Sequence, residues 1–180
     1  MRKYKISQGY RMYKVIDNFL NHGDFEKIVN TINNANYKWV LWEKANTKSQ
    51  EGQFQFAHVY IQRNTIVESL DDNVVYLIMK KLTELYKKTQ AVTRARTNLF
   101  LKTDNPIGFG YHKDIEDSET HETILYYLED SNGCTQFKTG EKIESKANRA
   151  LIFPAHIEHQ TLSHTDIIFR KNVNINFREA

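Results

Sequence analysis

One cysteine, two prolines and seven glycines in 180 residues are the first informative scarcities of this chain. A lone Cys134 can form no internal disulfide, which excludes a disulfide-stapled secreted scaffold and points to a reducing, cytoplasmic setting. With prolines only at 106 and 154 and no glycine cluster, the chain holds no collagen-like, linker-like or low-complexity segment. No apolar run approaches the roughly 20 residues that span a bilayer. The basic opening Met1-Arg-Lys-Tyr-Lys leads into Ile-Ser-Gln-Gly-Tyr, without an apolar stretch behind it. Neither a membrane partner nor a signal peptide is therefore expected. Charge of one sign is scarce too: 25 Lys and Arg against 22 Asp and Glu give a net +3, spread without a block of like charges. That is a solvated, mildly basic surface, compatible with nucleic acid but not pointing to it.

What is present is globular: 40% hydrophobic and 26% charged residues, in a length that buries one core without staples. One domain over 1–180 is expected, helix-rich over 1–90 and β-rich from about 93 to 178. Phe25, Ile28, Val29 and Ile32 fall at helical spacing behind Asp24, read as an N-cap. Val74, Ile78, Leu82 and Leu85 predict a second helix from about Ser69 to Lys88. Tyr13 to Ile16 reads as a short strand. From Thr93 the period shifts towards two, predicting strands over Thr93–Leu101, Glu122–Leu128, Thr135–Lys138, Arg149–Phe153 and Phe169–Phe177. Asn132-Gly133 and Thr139-Gly140 read as hairpin turns. The fold class is mainly β (α+β): a sandwich or jelly roll with buttressing N-terminal helices.

Three features of the β-rich half suggest chemistry: Tyr111-His112-Lys113-Asp114, then His159, then Arg170. Residues two apart in a strand share a face, so His112 and Asp114 can reach one metal together. A histidine from a distant strand, His159 or the rival His156, completes two imidazoles and a carboxylate. That facial set leaves three adjacent positions open, as non-haem iron(II) requires for a chelating cosubstrate and dioxygen. A His-x-Asp pair alone carries little weight among seven histidines and 22 acidic residues. Arg170, eleven residues after His159, can run along a neighbouring strand and grip a carboxylate with two hydrogen bonds.

The stretch from about Asn98 to Phe177 resembles the double-stranded β-helix core of the iron(II)- and 2-oxoglutarate-dependent oxygenases. The similarity is to the prolyl-hydroxylase-like branch and its small phage-type members. It is carried by Tyr-His-Lys-Asp at 111–114, Thr-Ile-Leu-Tyr-Tyr-Leu at 123–128 and Asn-Gly-Cys-Thr-Gln-Phe at 132–137. Further matches are Asn-Arg-Ala-Leu-Ile-Phe-Pro at 148–154, His-Gln-Thr from His159, and Arg170 with the following Asn-Val-Asn-Ile-Asn-Phe. Val-Ile-Asp-Asn-Phe-Leu at 15–20 resembles the opening of that branch. The resemblance implies that His112, Asp114 and His159 hold Fe(II), with His159 preferred over His156. It implies that Arg170 and Tyr127 hold the far carboxylate of 2-oxoglutarate, and that Asn98 lines the cosubstrate pocket. Phe100 stands where relatives of this kind carry a tyrosine. The implied reaction consumes 2-oxoglutarate and O2, releases succinate and CO2, and hydroxylates a C–H bond, with ascorbate as a stimulant.

Other residues admit plainer readings. Tyr127 also reads as a core tyrosine. Asn172, Asn174 and Asn176 share a face with Arg170, suggesting a polar pocket or a partly solvated face. His58 and His156 read as lining the entrance or as structural, Arg149 as fixing a turn, and Trp39 and Trp42 as core or lid aromatics. Cys134 is not expected to be a catalytic thiol. Lys102–Gly110 and Ile115–Thr120 are expected to flank the mouth. The competing functions are a cupin-like metal-binding jelly roll that uses no 2-oxoglutarate, for which Arg170 has no purpose, and a catalytically silent binding module. The substrate, whether protein, peptide, nucleic acid or small molecule, and the oligomeric state carry no signal in the sequence.

Overall fold

A computed structural model describes residues 12–46, 48–67, 73–116 and 118–180. The described backbone is mainly β, with two helices. In chain order it runs β1 (Lys14–Ile16), α1 (His22–Ile32), β2 (Val40–Trp42), β3 (Gln55–Gln62), β4 (Thr65–Ile66), α2 (Val74–Tyr86) and β5 (Gln90–Leu101). There follow β6 (His121–Tyr127), β7 (Ser131–Phe137), β8 (Lys142–Ser145), β9 (Arg149–Pro154), β10 (His159–Leu162) and β11 (Phe169–Glu179). A large antiparallel sheet has the order β1-β9-β6-β11-β5-β3-β2, with β4 on β3, and a small sheet has the order β10-β7-β8.

The alternation of side chains along each strand sorts the large sheet into two faces. Ala95, Ile124, Tyr126, Ala150, Ile152, Val173, Ile175 and Phe177 point one way, and both helices lie on them through Ile28, Ile32, Val74, Ile78 and Leu82. On the other face a smaller apolar group, Tyr13, Leu125, Tyr127, Leu151 and Phe153, packs on Phe137 of the small sheet. Beside that group, on β5 and β11, the same face turns polar and stays buried.

The N-terminal half departs from its expected helical character. It contributes β1 to β4, and the eight-residue β3 sits inside the sheet between β5 and β2. Its sequence hides this because β3 is covered on both sides, with Gln55 and His58 among its buried residues, so no polar–apolar alternation appears. The cap of α1 is Asn21, not Asp24. Asn21 Oδ1 accepts the Asp24 N–H at 2.9 Å and its amide donates back to Asp24 at 2.8 Å, so Asp24 lies inside the first turn, near the positive end of the helix dipole. Residues 68–72, where the second helix was expected to begin, lie outside the described residues, and α2 starts at Val74. Leu85 is exposed because Tyr86 takes the inward position of that turn, its ring 6.2 Å from that of Phe177. Thr139-Gly140 does turn the β7–β8 hairpin, with Gly140 at φ 106°. Asn132-Gly133 does not turn; it lies within β7 at a register shift between Ser131 and Cys134.

Candidate active site

Residues 107–114 run antiparallel to β10. The Ser163 N–H donates to the Ile107 carbonyl and the Phe109 N–H to the Thr161 carbonyl, each at 2.9 Å. His112 and His159 then exchange both backbone hydrogen bonds, at 2.9 and 3.0 Å, and the Asp114 N–H reaches the Ala155 carbonyl at 3.0 Å. His112 and Asp114 thus sit on an isolated bridge and the bend after it, not on the end of a regular strand. The bend still brings both towards His159: one ligating atom from each of the three lies within 4.8 Å of the others.

Both imidazoles are prepared for a cation. His112 Nδ1 faces the Gly110 carbonyl at 3.2 Å and His159 Nδ1 faces the Ile157 carbonyl at 3.0 Å. A ring nitrogen facing a carbonyl is the protonated donor, which leaves Nε2 with its lone pair directed at the shared space. The rings lie 4.6 Å apart, with Phe153 edge-on to His159 at 4.7 Å. Burial, aided by the neighbouring His159, pulls the His112 pKa down to about 4, so it is neutral at neutral pH.

The Asp114 side chain is fully buried and held on three sides. Arg94 Nη2 donates at 2.5 Å, Thr123 Oγ1 at 2.8 Å and Asn176 Nδ2 at 3.3 Å. Burial alone would raise the carboxyl pKa. The field of Arg94, then those of His159 and His112, outweighs burial and holds it well below the usual carboxylate range. The site therefore offers a neutral His112 imidazole and a carboxylate anion, the protonation states in which both can bind a divalent metal, with the His159 ring beside them.

Arg170 stands on β11 on the same face, 1% exposed, and forms no ion pair among the described residues. Its Nε has no hydrogen-bond partner, and its guanidinium lies 5.4 Å from the Phe100 ring. Burial lowers its pKa; Tyr127 and Cys134 beside it are neutral at neutral pH, which leaves only the more weakly acting carboxylates of Glu129 and Asp166 to offset its charge. Gly133 makes room for it: a Cβ there would come within 2.6 Å of Arg170 Nη1 and 2.9 Å of the His164 Cβ. Clearance for the arginine, rather than a turn, is what this glycine provides. Tyr127 is buried beside it, its hydroxyl 2.7 Å from Thr135 Oγ1 and its pKa pushed up to about 12 by burial. Asn98 is buried and donates to Asn172 Oδ1 at 3.0 Å, its own Oδ1 unpartnered. A cleft between the sheets is lined by His112, His159, Asn98, Asn172, Asn174 and Arg96, among others.

No protein-family model matches the chain, and none of the curated proteins does. Solved structures do. A prolyl hydroxylase from Trichoplax adhaerens, in complex with a hypoxia-inducible-factor peptide fragment, superposes with a TM-score of 0.70 at 13% identity, over 93% of this chain and 83% of that one. A 2OG-Fe(II) oxygenase-family oxidoreductase from Burkholderia pseudomallei gives 0.68 at 9% identity, over 92% and 84%. A viral collagen prolyl hydroxylase from Paramecium bursaria Chlorella virus-1 gives 0.59 at 15% identity, over 100% and 98%.

The chain has the 2OG-Fe(II) oxygenase fold.

Within this oxygenase fold the remaining expected residues separate clearly. His156 stands apart from the cluster, its Nδ1 2.9 Å from the Ser118 carbonyl. His58 is buried on the helix side of β3, 2.9 Å from the Lys38 carbonyl and stacked on Tyr37, so it does not line the cleft. Arg149 pairs with Asp17 at 2.6 Å and donates to the Glu144 carbonyl at 3.1 Å, fixing the entry to β9. Burial raises the Cys134 thiol pKa, against any thiolate role. Trp39 packs on the helix-side core. Asn172, Asn174 and Asn176 face inward and are buried, so that face is not solvated.

Arg94, Arg96 and Thr123 are not singled out by the sequence, and Trp42 reads there only as a core or lid aromatic. The signal was available on β5, where Arg94, Arg96 and Asn98 alternate with Ala95, Thr97 and Leu99. A polar stripe at period two beside a polar stripe on β11 is what a buried polar cleft looks like in sequence. No helix of the described residues is long and apolar enough to cross a membrane.

Proposed function

We propose that this protein is an iron(II)- and 2-oxoglutarate-dependent oxygenase that hydroxylates a C–H bond of its substrate, releasing succinate and CO2. The observation that carries the reading is the pairing of two incomplete sites between the two sheets. His112, Asp114 and His159 converge as a facial donor set, and Arg170 is a buried guanidinium without a carboxylate partner. A buried, uncompensated cation is costly, and a cosubstrate carboxylate relieves that cost with two charge-assisted hydrogen bonds. The two sheets, read with the shared fold, correspond to a double-stranded β-helix.

His112, Asp114 and His159 would hold the metal, which when bound supplies the activation of dioxygen and the oxidation chemistry. Arg94, Thr123 and Asn176 orient the carboxylate, and the Gly110 and Ile157 carbonyls fix the tautomers and tilt of the two imidazoles. Arg170, with Tyr127 alongside as a protonated hydroxyl, anchors the distal carboxylate and so aims the keto-acid end at the metal. Asn98 and Asn172 line the intervening wall. Phe137, Phe153 and Leu125 keep water away from that path.

A cupin-like protein without 2-oxoglutarate would use the same triad and leave Arg170 buried for no return. The experiment is succinate formation from 2-oxoglutarate by purified protein with Fe(II) and ascorbate in air. Slow turnover in the parent and none in His112→Ala is the expected result. Succinate made equally by both would reject the assignment.

A further inference from the structure

One charged side chain in the cleft is left without a partner once the proposed cofactors are accounted for. The inward faces of β5, β6 and β11 carry three arginines, 94, 96 and 170, and no acid, while Asp114 reaches in from the 107–114 segment. Arg94 is paired with Asp114. Arg170 is matched, on the reading above, by the cosubstrate. The dianionic cosubstrate meets Arg170 with one carboxylate and a divalent metal with its other end, so the filled cleft keeps a positive excess. Arg96 remains.

Arg96 is 8% exposed, its Nε has no hydrogen-bond partner, and it forms no ion pair among the described residues. Its guanidinium lies 5.3 Å from the centroid of the Trp42 ring, which holds a cation in place without neutralising it. It lines the same cleft as His112, His159 and Asn174. Its position is distinct from that of Arg170: Arg96 stands opposite Asn174 and Arg170 opposite Phe100, with the Asn98–Asn172 pair between them. Burial, and then repulsion from Arg94, lowers its pKa to about 9, which leaves it charged at neutral pH. The amides around it, Asn46, Gln55 and Asn174, are uncharged.

We infer that Arg96, stacked on Trp42, is the recognition point for an anionic group, a carboxylate or a phosphate, on the substrate that is oxidised at the neighbouring metal site. The inference rests on the oxygenase reading and adds the substrate's chemical class. A guanidinium fixed on an aromatic face has its donor edge free, and that edge matches the paired oxygens of either anion. A neutral substrate would bury the charge without compensation, so the site selects against it.

The test uses the full chain in a Trp39→Phe background, which leaves Trp42 as the sole tryptophan of the two. Under argon, with Fe(II) and 2-oxoglutarate bound, the protein is titrated with acetate, inorganic phosphate and the neutral acetate analogue acetamide. Trp42 emission and the visible metal-to-cosubstrate charge-transfer band are recorded in the same samples. A saturable change in emission with acetate or phosphate and none with acetamide is expected, and the stronger anion names the class. Arg96→Gln should weaken that response roughly tenfold to a hundredfold while the band persists. Asn174→Asp, which sets a carboxylate opposite Arg96, should abolish it in a protein whose band and thermal transition are retained.

Three results overturn the inference: the band without any anion response, an equal response to acetamide, or loss of the band in Arg96→Gln with anion binding intact. The last would give Arg96 to the cosubstrate. A parent protein without the band overturns the oxygenase reading instead, and this inference with it.

Discussion

The two faces of β11 are alike in burial and opposite in chemistry. Val173, Ile175 and Phe177 point at the helices and are fully buried among apolar neighbours. Arg170, Asn172, Asn174 and Asn176, the alternating residues of the same strand, are as deeply buried, yet three of the four hold a polar atom with no partner. One face is finished by folding. The other is left with unsatisfied donors, acceptors and charge, which folding alone gives no reason to bury. An enzyme that must orient a charged cosubstrate keeps such groups in place and pays their desolvation in advance, with the helix-side core as the reserve.

The comparison can be broken in five places. The largest effect belongs to the metal donors: His112→Ala should abolish turnover and Fe(II) binding, measured by anaerobic metal titration, with the thermal transition kept. Ile175→Ala, on the helix face, should cost about 2–5 kcal/mol of stability by denaturant unfolding, leaving cosubstrate affinity of the folded fraction unchanged. Arg170→Gln, on the inner face of the same strand, should do the reverse. It weakens 2-oxoglutarate by roughly a hundredfold while the melting temperature holds or rises, because a buried unpaired cation is gone. Gly133→Ala, which drives a methyl into the Arg170 guanidinium, should mimic that variant in binding but lower stability. The smallest effect is expected from Thr123→Val, which removes one of the three donors to Asp114. It should reduce metal affinity about tenfold, read in the same titration. If Ile175→Ala and Arg170→Gln shift stability and cosubstrate binding alike, the two faces are not functionally separate.

How much of this was legible in the sequence depends on which face a residue serves. Period two over 93–101 and 169–177 located β5 and β11 because one face of each is mostly apolar, interrupted only by Thr93, Thr97 and Lys171. The helices were readable for the same reason, although Asn21 rather than Asp24 supplies the cap. β3 was not legible, since it is buried on both sides and mixes Gln55 and His58 with apolar residues. β8 and β10, four residues each, are too short to show a period. His112, Asp114 and His159 stood out by residue type, and the structure brings them together. The supporting residues did not, because Arg94 and Thr123 matter only through register: β5 and β6 both pair with β11, which sets Asn176 opposite each of them. Gly133 was misread for a related reason. A glycine that clears space for a side chain 37 positions away looks locally identical to one that makes a turn.

The most direct test of the central claim is optical and needs no substrate. Fe(II) is added to the metal-free protein under argon, then 2-oxoglutarate, and the visible charge-transfer band is followed. A saturable band in the parent, absent in His112→Ala and shifted to much higher 2-oxoglutarate concentration in Arg170→Gln, is the predicted result. No band in the folded parent at saturating metal and cosubstrate would contradict the account.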